Sequence, residues 1–191
     1  MSLRKKVLSP ELISMFALLT LAIPAGLCQL NSNTASVALN ATLGESLTVA
    51  ATPSTVAIPL VSGGTAAGSS PVAITTTWVL NASRSTVTVV GYFSSATAAL
   101  TNGATTPVNI PASEVLGQVT TGTPTSFTAF TQTAALGAAG AGLTLFTQGL
   151  SGTNRTANRT DNLNLEINLA SQPQLPAGTY TGTLNIQAQA L

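Results

Sequence analysis

Four apolar residues, Leu163, Leu165, Ile167 and Leu169, alternate with polar ones through the stretch NLNLEINLA (162–170). A period of two puts all four on one face of a β-strand and on no single face of a helix. The period returns at Leu47, Val49 and Ala51, at Val72, Ile74, Thr76, Trp78 and Leu80, and at Leu184, Ile186, Ala188 and Ala190. Turn residues separate these runs at intervals of about ten residues, which predicts an all-β antiparallel sandwich. No sustained helical period competes with it after the first 28 residues.

Several connections can be read in the same way. VAITTTWVL (72–80), NASRS (81–85) and TVTVVGYF (86–93) predict a hairpin. TPSTVAIPL (52–60) reads as a turn and a short strand, and SGGTAAGSSP (62–71) as a surface loop. Pro111 suits an edge better than a central strand. The glycines of AALGAAGAGL (134–143) favour a loop over the helix that its alanines would make. The expected core is Trp78, Leu80, Leu163, Leu165, Ile167, Leu184 and Ile186.

The first 28 residues have a different character. MSLRKK is a basic start, LISMFALLTLAI is an apolar run too short to span a bilayer, and Pro24-Ala25-Gly26 breaks it. Residues 1–28 are therefore expected to be a secretory signal peptide, cut after Cys28 or near Ala25. A lipidated Cys28 is the other outcome, disfavoured by Leu27, where lipoprotein signals carry a small residue. No membrane span is expected in the mature chain.

After such a cut, three arginines face four carboxylates, a net of −1, and no Lys or His remains. The full chain is 6% charged and 45% hydrophobic, against about 25% charged for ordinary globular domains. Low charge argues against nucleic-acid binding, and the apolar fraction argues against disorder. Near-neutrality also removes the repulsion that keeps copies apart.

The same inventory disfavours catalysis. Without His, Lys or a free thiol, no Ser or Thr has a base to take its proton. Asp161 and Glu166 are odd-spaced along one strand and point to opposite faces, which is wrong for a paired-carboxylate site. No catalytic residue, cofactor or metal is expected. Asn162, Asn164, Glu166 and Asn168 form a polar row that suits the wet face of a strand better than a calcium site, which gathers several carboxylates. Arg155 and Arg159, in SGTNRTANRT (151–160), are the candidate ligand loop for an anion, the alternative being a solvated loop. Trp78, Tyr92, Phe127 and Phe130 are candidates for a sugar-stacking platform, though Trp78 shares its face with Ile74 and Leu80, as a core residue would.

The alternation runs through LPAGTYTGTLNIQAQAL (175–191) to the last residue, so this end is expected to be part of the fold. The stretch resembles the C-terminal strand of secreted bacterial β-sandwich proteins of the spore coat protein U and chaperone–usher pilin type. In those families an L-P-A-G-x-Y turn leads into the closing strand. The resemblance implies an immunoglobulin-like, pilin-like sandwich whose C-terminal strand, here Tyr180, Leu184, Ile186 and Ala188, serves folding and assembly. It further implies that a domain short of one strand accepts an N-terminal extension from a neighbour by β-augmentation.

A candidate extension is present. Val37, Leu39, Ala41 and Leu43 alternate in TASVALNATL (34–43), ahead of what already reads as a complete first strand, with Gly44 between. The segment is either that extension or an ordinary strand of its own sheet. The expected organisation is a signal (1–28), an extension strand (29–44) and a sandwich domain (45–191). The expected function is a non-enzymatic structural subunit of a bacterial pilus, fibre or coat. It would be secreted through the periplasm to the cell surface or medium. Its partners would be copies of itself or related subunits, with a periplasmic chaperone and an usher. A monomeric carbohydrate-binding or adhesive module is the alternative.

Overall fold

The computed structural model describes residues 32–191; the expected signal peptide lies outside them. Residues 42–191 gather into one compact unit. Residues 32–41 hold no secondary structure and are exposed, and the same is true of the segment as far as Gly44. The alternation of 34–43 thus makes no ladder here, because a strand needs a partner for its N–H and C=O groups.

Among the described residues the strands are β1 (Ser46–Thr52), β2 (Thr65–Ala67), β3 (Val72–Val79), β4 (Thr86–Tyr92), β5 (Leu100–Thr101) and β6 (Asn109–Ile110). A 3-10 turn at Ala112–Glu114 leads to β7 (Val115–Val119), β8 (Thr128–Ala129), β9 (Leu143–Gly149), β10 (Thr156–Asn168) and β11 (Asn185–Ala190). The larger sheet has the order β1-β3-β10-β7-β8, with β2 also pairing β10. The smaller sheet is β11-β4-β9, and β5 with β6 forms a two-stranded ribbon. All ladders between named strands are antiparallel. The protein is all-β, with antiparallel sheets packed together in a sandwich-like arrangement. No helix among the described residues is long and apolar enough to cross a membrane.

The hairpin expected across Asn81–Ser85 does not form. β3 pairs β1 and β10, whereas β4 pairs β11 and β9, so the turn carries the chain from one sheet to the other. Both strands bury alternate residues on the inner face, and that periodicity is identical for sheet partners and for facing sheets. Pro111 sits in neither kind of strand; it precedes the 3-10 turn, and the inner strand β7 begins after it.

The core lies between the sheets. Trp78, Leu80, Leu163 and Ile167 are buried in it, with Leu165, Leu184 and Ile186 half-buried against them. A bulge slips the β4–β9 register between Val89 and Val90, pairing them with Phe146 and Thr144. The unmatched Leu145 and its neighbour Phe146 are consequently both buried. Phe130 packs edge-on to Phe93 at 5.5 Å between ring centroids, in space left by two glycines of facing strands. A Cβ on Gly91 of β4 would lie 2.9 Å from its ring, and one on Gly117 of β7 would lie 2.7 Å from it.

Candidate functional site

One side of the sandwich is left open. After β1 the chain continues through 55–61 without joining any ladder, yet Val56, Ile58 and Leu60 are half-buried while Thr55, Ala57, Pro59 and Val61 are exposed. That is a strand's alternation without a strand's partner. Ala57 does accept one bond, from Ser69 N–H at 2.8 Å, and Pro53 and Pro59 have no N–H to offer.

The facing wall is the chain from Leu175 to Ala190. Thr181 exchanges both backbone bonds with Thr101, each at 2.9 Å. Tyr180 Oη donates to Pro176 O at 2.9 Å and closes the turn before it. At the far end of β11, Leu191 and Thr86 exchange both bonds, at 3.0 and 3.1 Å. By the alternation of an antiparallel ladder, Gln189, Gln187 and Asn185 bond to β4 likewise. Ile186, Ala188 and Ala190 must then turn their N–H and C=O groups to the free edge, which pairs with no strand among the described residues although β1 passes close to it.

Two overlapping cavities make a groove between these walls, and a third lies further along β11 against the start of β1. The widest, about 730 Å³, lies between Ile58–Leu60 and the 175–180 turn, over Ile167 and Leu169. The second, about 310 Å³, shares Val56 and Ile58 with it and reaches Leu184 and Ile186. The third, also about 310 Å³, lies between Ser46–Leu47 and Ala188–Ala190. No charged residue lines the first two. At the third, Glu45 and Arg84 form an ion pair at 3.3 Å, and Glu45 Oε1 also accepts Asn81 N–H at 2.9 Å. The Arg84 bond, helped by that of Asn81, holds the Glu45 carboxyl below its ordinary value. The groove is long, apolar and neutral, and along one wall it presents unpaired backbone. An extended peptide suits it chemically, with apolar side chains to enter the cavities and backbone to pair with the free edge.

The residues singled out in the sequence fall in separate places. Tyr180, Leu184, Ile186 and Ala188 lie along the groove wall, packed against the core. Val37, Leu39 and Leu43 are 81%, 90% and 85% exposed, and Ala41 is exposed as well. Arg155 and Arg159 do not share a loop. Arg155 Nη1 donates to the carbonyls of Asn81 and Arg84, at 2.5 and 2.9 Å, bracing the turn between the sheets. Arg159 belongs to β10, points inward and pairs with Asp161. Trp78 and Phe130 are buried, so the four aromatics form no common platform. Among the described residues no three His, Cys, Asp or Glu side chains gather into a metal cluster.

The opposite groove wall, Val56, Ile58 and Leu60, is what the sequence reading missed as a site. Its signal was present in TPSTVAIPL, where strand-like alternation is flanked by prolines that weaken any ladder. No family, characterised protein or solved structure matches the chain.

Proposed function

We propose that the protein is a secreted, non-enzymatic structural subunit of a bacterial pilus, fibre or coat, and that it assembles by β-strand complementation. The groove along the unpaired edge of β11 carries this reading. An immunoglobulin-type sandwich places strands A, B, E and D in one sheet and C, F and G in the other. The order β1-β3-β10-β7 corresponds to the first set, and β4 with β11 to C and F. The place of G, beside β11, is the groove. On this reading the domain is a pilin-like sandwich short of its last strand, with β9 an addition on the far side of β4.

The segment 34–43 has the properties of the absent strand. It carries no charge, its apolar residues alternate, and it is exposed. Ten residues in a strand span roughly 33 Å; the regular edge of β11 covers Asn185–Ala190, and the chain before it continues the groove wall back to Tyr180. Val37, Leu39, Ala41 and Leu43 of one copy would fill the groove of the next. The expected export signal, near-zero charge and lack of catalytic chemistry accord with such a subunit, and so do a periplasmic chaperone and usher as transient partners.

Sedimentation of the exported protein and its Leu39→Asp variant tests this. Wild type should form chains, while the variant should stay a folded monomer, because an unpaired carboxylate cannot enter the apolar groove. A wild type that remains monomeric at millimolar concentration would remove the assembly function and leave the monomeric binding module.

A further inference from the structure

The widest cavity has a wall of unusual construction. From Pro176 to Tyr180 the backbone makes no backbone–backbone hydrogen bond. The turn is closed instead by one side-chain bond, Tyr180 Oη to Pro176 O, and is anchored just beyond it by the Thr181–Thr101 pair. On the opposite side 55–61 joins no sheet; it is tied by Ser69 N–H to Ala57 O at 2.8 Å and, just beyond Leu60, by Ser62 Oγ–H to Pro173 O at 3.0 Å. The Ser62 bond fixes one end of this chamber, and the shape of the 176–180 turn beyond it depends on the Tyr180 phenol.

We propose that Tyr180 is a specificity-determining residue of the groove: by bracing the 176–180 turn it shapes the wide chamber into a seat for Leu43 of an incoming second copy. The inference rests on the strand-complementation reading above. β11 is the regular strand with a free edge, and antiparallel pairing is the more stable kind. A segment running antiparallel to β11 and continuing along the wall before it brings residue 43 to Tyr180 and residue 34 toward Ala190. The matching faces then set Leu39 beside Leu184 and Val37 beside Ile186. The bulkier end residue, Leu43, meets the cavity of about 730 Å³, and the smaller Val37 meets the narrower part. Reversal of the segment would exchange them and fit both chambers worse.

The test uses the full chain carrying Leu39→Asp, so that its own segment fills no groove, and a fluorescent peptide of residues 34–43. Binding is read by anisotropy and folding by the thermal midpoint. Tyr180→Phe loosens the turn and should weaken the peptide on the order of tenfold, while the loss of this internal hydrogen bond lowers the midpoint by only about 2–4 °C. With a Leu43→Ala peptide the difference between the parent and Tyr180→Phe proteins should vanish; with a Val37→Ala peptide it should persist. Leu60→Phe narrows the chamber from the other wall and should reject the native peptide while accepting the Leu43→Ala one. That variant decides the matter if Tyr180→Phe does not fold. Equal binding by the Tyr180→Phe protein, coupling to Val37 instead of Leu43, or indifference of the Leu60→Phe protein to residue 43 each overturn the role of Tyr180 and leave complementation standing. Failure of the native peptide to bind the parent protein overturns both.

Discussion

Arg159 and Asp161 lie two residues apart on β10, and both turn inward: Arg159 Nε donates to Asp161 Oδ2 at 2.6 Å and Nη2 to Oδ1 at 2.7 Å. The Thr121 hydroxyl adds a bond to Oδ1 at 2.6 Å, and the guanidinium lies 4.2 Å from the centre of the Phe146 ring. A residue read as part of a solvated loop is instead one half of an interior ion pair.

This pair makes stability depend on acid. Burial pushes the Asp161 carboxyl up, but the bonds from Arg159 and Thr121 and the charge of Arg159 outweigh it and hold it below its ordinary value. A carboxylate depressed in the folded state stabilises fully above its unfolded pKa, about 4, and loses that contribution as pH falls through the folded value. Thermal melts should therefore weaken below about pH 4. Asp161→Asn should flatten that acid limb and cost about 3 kcal/mol at neutral pH, the low end for a broken buried pair because Arg159 keeps some solvent.

Trp78 fills the core between the sheets and donates Nε1–H to Asn154 O at 2.8 Å. Trp78→Ala should cost about 3–5 kcal/mol in chemical denaturation. Trp78→Phe keeps most of the apolar body and should lose about 1–2 kcal/mol, chiefly the hydrogen bond and the carbonyl left without it.

Phe130 occupies the space above Gly91 and Gly117. Gly117→Ala should cost about 1–3 kcal/mol by overpacking against the ring. Measured in a Phe130→Leu background, the same substitution should cost far less, because the atoms it strikes are gone. Equal costs in both backgrounds would mean that the penalty does not come from contact with the Phe130 ring.

The amides of 55–61 should exchange rapidly with solvent deuterium in the Leu39→Asp monomer, despite the inward side chains of Val56, Ile58 and Leu60, since they sit in no ladder. Occupation of the groove by the 34–43 peptide should slow them, together with Ile186, Ala188 and Ala190. Protection already complete in the monomer would mean that the edge has another partner.

Strand existence was legible in the sequence because burial of one face imposes a period of two, and β1, β3, β4, β10 and β11 all carry it. Partner choice was not. Val72–Trp78 and Val87–Val89 look the same whether they pair side by side or face each other across a core, and the short turn at Asn81–Ser85 suggested the wrong answer. Arg159 was misplaced because inward charge has no signature until its partner is known; Asp161, two positions on, was the available hint. The groove was half visible. Its β11 wall stood out by alternation, while the 55–61 wall and its emptiness depend on what is missing from the sheet order, which no local pattern reports.

The crossing at Asn81–Ser85 also sets an order of events for the emerging chain. β4, with Val87, Val89 and Val90 at its centre, leaves the ribosome directly after β3 but has no partner nearby. Its neighbours are β9 and β11, both much later in sequence, so each ladder of the smaller sheet must close a long loop before it gains anything. An apolar strand waiting so long is a sticky one. In this order the β1–β3 ladder can close early, while the apolar face of β4 stays uncovered until β9 and then β11 arrive.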